Sequence, residues 1–144
     1  AAGSDKRFSF RIENPESRDL HVFESAIDLL SYATLVKKAG GEWKKENLMS
    51  LAGVYSGKND GTVKVPAALS RTLSENRKIS RIFLHLDNDH AGRRAAKGLE
   101  ESLSSRAEVY DEPPASGKDM NDHLCMICGK EQAMKKERTD RYER

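Results

Sequence analysis

RIFLHLDNDHAGRRAA, residues 81–96, is the stretch that decides the fold. The apolar run from Ile79 to Leu86 is too short for a helix and rich in Ile, Leu and Phe, so it reads as a buried strand. It ends abruptly at Asp87-Asn88-Asp89, a turn sequence. From about Ala91 to Ser104 the apolar positions take helical spacing, with Ala95, Ala96, Leu99 and Leu103 on one face. A strand, an acidic turn and a returning helix make half of a crossover unit of a parallel sheet.

The same grammar recurs on both sides. Leu20-His21-Val22-Phe23 is a short apolar strand running into Glu24-Ser25 and a helix carrying Ile27, Leu30 and Leu35, which Gly40-Gly41 stop. Residues 47–51, NLMSL, form another strand, followed by Ala52-Gly53 and the turn-rich loop SGKNDGT at 56–62. Pro66 opens a helix to about Asn76, and Ala107 to Tyr110 reads as a fourth strand. Strands alternating with helices predict an α/β parallel sheet with helices on both faces. Ahead of it, KRFSFRI at 6–12 alternates Phe8, Phe10 and Ile12 on one face, an extra N-terminal strand. HLCMICGK at 123–130 predicts a short helix, and 131–144 a charged, solvated helical tail. The expected organisation is thus an N-terminal extension over 1–19, one domain over 20–130 and a tail over 131–144. No internal repeat is present.

Whole-chain numbers set bounds. A chain of 144 residues can bury a core without staples. Basic and acidic residues nearly balance, 25 against 23, so charge neither demands nor forbids a nucleic-acid partner. Cys125 and Cys128 stand too close for a disulfide framework, which points to a reducing cytoplasm. No apolar run approaches the ~20 residues of a membrane span, and no signal peptide is visible. The first residue is not Met, and the chain is expected to be a domain of a larger protein.

In sheets of this kind ligands bind at the carboxyl ends of the strands. Three acidic clusters fall at that edge: Glu24, Asp87 with Asp89, and Asp119 with Asp122. Carboxylates gathered at one edge repel unless a cation sits among them, and hard oxygen donors suit Mg2+ or Mn2+. Such a site favours phosphoryl transfer. The plainer reading of each acid alone is a helix N-cap. Gly92 lets the backbone approach metal or sheet, and Gly53 ends another strand, so its backbone is expected to line the pocket. Arg93, on the first turn of the helix after Asp89, is a candidate phosphate grip; Arg94 and Lys97 read as solvated. Lys118, beside Asp119, is the better DNA-contacting lysine; Lys58 more simply serves solubility. Asp28 is either a metal or supporting residue or an exposed helix position.

The motifs also resemble a family. VFESAIDLLSY at 22–32 resembles the first motif of Toprim domains, with Glu24 closing a strand and Asp28 four residues on. LHLDNDHAGRRAA at 84–96 resembles the second, the Asp-x-Asp strand end carried here by Asp87 and Asp89. SGKDMNDHL at 116–124 resembles the late loop of bacterial primases, where Asp119 matches one acid and Asn121 replaces another. The resemblance covers about 20–125 and is nearest to Toprim domains of conjugative-transposon and plasmid mobilisation proteins. It implies a Toprim-like (Rossmann-like) fold and a Mg2+ or Mn2+ held by Glu24, Asp87 and Asp89, with Asp28 and Asp119 as further ligands. It also implies a role for Glu24 as general acid/base.

Other candidates are weaker. Cys125, Cys128 and His123 lack a fourth partner for structural zinc, so the cysteines read as helix packing. His85 lies inside the strand and reads as core; His90 reads as a polar turn residue. Trp43 and Tyr55 are too isolated for a base-stacking platform. Two functions follow as expectations. One is Mg2+-dependent action on DNA phosphodiester bonds (nicking, joining or primer synthesis) within a bacterial mobile-element or DNA-processing protein. The other is a non-catalytic, metal-bridged module that positions DNA or a relaxase. No membrane partner is expected.

Overall fold

A computed structural model describes residues 9–52 and 63–142. Its elements are β1 (Arg11–Ile12), β2 (Asp19–Phe23), α1 (Ala26–Lys38), β3 (Asn47–Ser50), α2 (Ala67–Glu75), β4 (Arg81–His85), α3 (His90–Leu103), β5 (Glu108–Asp111) and α4 (Met120–Tyr142). A single 3-10 turn, Trp43–Lys45, precedes β3. The sheet order is β1-β3-β2-β4-β5. β2, β3, β4 and β5 run parallel, and β1 joins the β3 edge antiparallel. This is the expected α/β sheet of four parallel strands with an extra N-terminal strand.

Strand alternation assigns the two faces. Leu20, Val22, Met49, Ile82 and Leu84 point toward α2 and α3, where Leu69, Ala95, Ala96 and Leu99 complete a wholly apolar core. Phe23 and Leu48 point the other way, onto Leu29 and Ala33 of α1 and Met120 at the start of α4. Helix α1 ends because Gly40 adopts φ +84, which only glycine takes without strain. That lets Gly41 N–H reach the Val36 carbonyl and Gly40 N–H the Lys37 carbonyl.

Register does the rest. Phe23 pairs with both Ser50 and His85, so β2, β3 and β4 end level. The residues that follow, Glu24, Leu51 and Leu86, therefore leave the sheet side by side.

Three expectations are corrected. The strand anticipated over 6–12 comprises only Arg11–Ile12 among the described residues; residues 1–8 lie outside them, and Phe10 is 47% exposed rather than half-buried in a ladder. The short helix and the tail are one continuous helix, α4. Gly129 costs about 1 kcal/mol in a helix interior, too little to break a run of good helix formers such as Glu131, Gln132, Ala133 and Lys135. Cys125 faces solvent instead of packing, and Cys128 is half-buried; both are free thiols. Among the described residues no helix is long and apolar enough to cross a membrane.

Candidate metal centre

Glu24 is the first residue past β2, and its neighbour Ser25 caps α1 by accepting from Asp28 N–H. The parallel pairing of β2 with β4 carries the Glu24 carboxylate to the end of the neighbouring strand. There Oε1 accepts from the backbone N–H of Asp87 at 3.3 Å. The two acids are 63 residues apart in sequence and adjacent in space. Burial pushes the Glu24 carboxyl above its ordinary range; the Asp87 N–H opposes that, and the charges of Asp89 and Asp28 add to it.

Asp87 is the most perturbed acid of the group. Its Oδ1 is buried and has no hydrogen-bond partner among the described residues. Burial, then the charges of Glu24, Asp28, Asp119 and Asp89, push its carboxyl from 3.8 up to about 7. A buried carboxylate oxygen without a donor, amid four other acids, is costly unless something positive reaches it.

Asp89 and Asp119 both cap helices. Asp89 Oδ1 accepts from Gly92 N–H at 2.7 Å and opens α3. Asp119 Oδ1 accepts from Asp122 N–H at 2.8 Å, just ahead of α4. The N-cap reading thus holds for one oxygen of each. Asn88 N–H bonds the Lys118 carbonyl at 2.6 Å, which draws the 116–122 loop onto the Asp87–Asp89 turn. Lys118 Nζ lies 3.6 Å from Asp89 Oδ2, with its side chain still 59% exposed.

Gly92 is there for space. A Cβ on it would collide with the Asp87 carbonyl oxygen, so glycine is what lets α3 start against the end of β4. Arg93 is placed differently from the expected phosphate grip. Its Nη1 pairs with Asp111 Oδ2 at 2.6 Å, and Nη2 and Nε donate to the carbonyls of Leu86 and Asp87. The guanidinium fork is spent on suturing β4 to β5. Asp28 is buried, with Oδ2 accepting from Ser25 Oγ at 2.7 Å and Oδ1 from Asn121 N–H at 3.2 Å. Gly53 and Lys58 lie outside the described residues. His90 and Arg94 bond each other on exposed surface, and His123 bonds Ser116 Oγ.

One feature escaped the sequence reading. His21 and His85 stack with ring centroids 5.1 Å apart, between Tyr32, Phe23 and Phe83. His85 Nδ1 donates to the Glu112 carbonyl, so its Nε2 accepts from His21 Nδ1 at 2.8 Å. Burial drives His21 down to about 4 and His85 to about 3, holding both rings neutral. The signal in the sequence was a histidine inside each strand, His21 three residues before Glu24 and His85 two before Asp87, which the register sets diagonally across from each other.

The donors at the sheet edge are all hard oxygens, and the orphaned Asp87 Oδ1 is the kind of atom a Mg2+ or Mn2+ ion satisfies. The chemistry of the set fits such an ion. Among the described residues, however, no three His, Cys, Asp or Glu side chains already stand close enough to share one.

The Toprim-like family matches residues 21–124. No curated protein matches. A solved structure with some similarity is the primase fragment of the bacteriophage T7 primase-helicase protein, at 19% identity and a TM-score of 0.47. The alignment covers 82% of this chain and 42% of that one, so this chain spans less than half of that protein's length. With its two strand-end acid motifs inside the matched span, the chain belongs to the Toprim-like family.

Proposed function

We propose that this chain is the metal-dependent module of a DNA-processing protein and that it acts on DNA phosphodiester bonds, by nicking, joining or primer synthesis. The observation that carries this is the Glu24–Asp87 junction, with a buried carboxylate oxygen that has no hydrogen-bond partner among the described residues. Mg2+ or Mn2+ would be held by Glu24, Asp87 and Asp89, with Asp119 as a further ligand. When bound, the ion would polarise a phosphate oxygen and offset its charge.

The chain's own residues supply the rest. Glu24, whose carboxyl burial raises above its ordinary range, is suited to take or return a proton at a phosphate-bound oxygen. The N-termini of α3 and α4 add positive potential at the same edge. Lys118 is the cation free enough to meet a phosphate there. The family supports a DNA partner, and the parent protein is proposed to serve mobile-element transfer in the bacterial cytoplasm.

A second reading is favoured by Arg93: with its fork committed to Asp111 and two carbonyls, the site has one fewer group for gripping a substrate phosphate. That suits a non-catalytic module whose metal only bridges DNA, or a relaxase partner. Nicking and primer synthesis on single- and double-stranded DNA with Mg2+ or Mn2+ separate the two. The catalytic reading predicts turnover that falls at least ~100-fold in Glu24→Gln and Asp87→Asn. Retained metal binding with no turnover in the wild type leaves only the bridging module.

A further inference from the structure

Among the described acids at the sheet edge, Asp28 is the one whose two carboxylate oxygens both accept hydrogen bonds. It is 5% exposed. Oδ2 accepts the Ser25 hydroxyl, whose oxygen in turn accepts Asp28 N–H, closing a reciprocal cap on the first turn of α1. Oδ1 crosses to the backbone N–H of Asn121, in the first turn of α4. First-turn amides have no partner within their own helix, so a carboxylate from another element is a fitting acceptor. The junction has a second strand: the Ser31 hydroxyl, 2.8 Å from the Ile27 carbonyl and 3.2 Å from Asn121 Oδ1, shares its one proton between the two acceptors. Asp28 therefore sits between two helix N-termini, while Asp87, on the same edge, keeps a buried oxygen with no donor among the described residues.

We infer that Asp28 is a positioning residue that pins the start of α4, and with it Asp119, to the start of α1 beside Glu24, and that it is not a ligand of the cation. The consequence for the site is geometric. Asp119 immediately precedes α4 and caps it, so the place of its free oxygen is set by where that helix begins. Asn121 contributes its backbone amide and its side-chain oxygen to the same junction, which gives this position a role that needs no second charge. The statement about Asp119 and the cation rests on the function proposed above; the statement about the two helices does not.

The decisive variants are Asp28→Asn and Asp28→Ala. Asparagine keeps an acceptor for Asn121 N–H and offers an amide toward Ser25 Oγ, but removes the charge; alanine removes both bonds. Two readouts are taken on the whole chain: Mn2+ affinity, and hydrogen exchange at the Asn121 amide without metal. A positioning role predicts that Asp28→Asn keeps Mn2+ affinity within about threefold and keeps Asn121 protected. Asp28→Ala then loses that protection and weakens Mn2+ binding about tenfold through the displaced loop. The inference is overturned if Asp28→Asn loses affinity as fully as Asp87→Asn while Asn121 stays protected, since that is the behaviour of a ligand. It is equally overturned if Asp28→Ala leaves Asn121 exchange unchanged. Should Asp28→Ala not fold, the asparagine variant alone still separates ligand from clamp. Should the wild type bind no Mn2+, the functional reading fails and the exchange comparison still decides the clamp.

Discussion

Along β4 two regions of the molecule meet within three residues and follow opposite rules. Leu84 is completely buried, and its neighbours on that face, Val22, Ala95, Ala96 and Leu99, are equally buried and wholly apolar. Asp87 is partly buried, but its company is Glu24, Asp28, Asp89 and Asp119, and one of its oxygens bonds nothing among the described residues. The packing under α2 and α3 is arranged for stability. The strand end stores unfavourable charge that stability alone would remove, which is the usual signature of a site kept for binding. The difference teaches where to look: function sits where the local chemistry works against the fold.

The contrast can be broken most severely at Gly92, where the two regions touch. Gly92→Ala forces a Cβ into the Asp87 carbonyl, a backbone atom that cannot rotate away. A loss of about 3 kcal/mol or more is expected in denaturant melts, because overpacking against backbone has no cheap relief. A loss under about 1 kcal/mol means that α3 does not press on the strand end as described.

The buried histidines sharpen it next. His21 and His85 titrate at about 4 and about 3 in the folded protein, against 6.5 for the ordinary ring. The unfolded chain therefore binds protons that the folded one refuses. Their stabilising contribution is complete above about pH 6.5 and drains as pH falls toward 4. Relative to a His21→Phe/His85→Phe variant, the wild type should lose about 1.4 kcal/mol per pH unit per ring in that window. Parallel pH profiles for the two proteins would mean that the rings are not held neutral together.

The smallest effect has the opposite sign. With its carboxyl raised to about 7, Asp87 keeps a proton in the folded state that the unfolded chain releases near 3.8. Its contribution to stability is thus greatest in acid and is lost as pH rises through about 7. Asp87→Asn should make the metal-free protein more stable by about 1 kcal/mol at about pH 8, a figure discounted because the group is partly open to solvent. The gain should vanish near pH 4. Mn2+ should reverse the order, since only the wild type gains stability from binding it.

Much of this was legible in the sequence because parallel strands are buried on both sides and punctuated by turn residues. RIFLHL, LHVF and NLMSL therefore announced themselves without alternation, and the acids that follow them marked the edge. What stayed hidden depends on register between distant segments. The His21–His85 contact follows from β2 and β4 being paired one strand-end against the other, and no local pattern encodes that. Arg93 was read as a phosphate grip because its partner Asp111 lies on a strand whose place beside β4 the sequence does not state. The Asp28–Asn121 bond joins residues 93 positions apart. Local rules also split α4 in two at a glycine that the helix simply absorbs.

The central claim is that Glu24, Asp87 and Asp89 surround one divalent cation, and Mn2+ tests it directly through the paramagnetic loss of backbone amide signals. At substoichiometric Mn2+ the wild type should lose signals around Glu24 and the Asp87–Asp89 turn first, and Asp87→Asn should keep them at the same concentration. Signal loss spread equally over the acidic residues of α4, or unchanged by Asp87→Asn, would contradict the account.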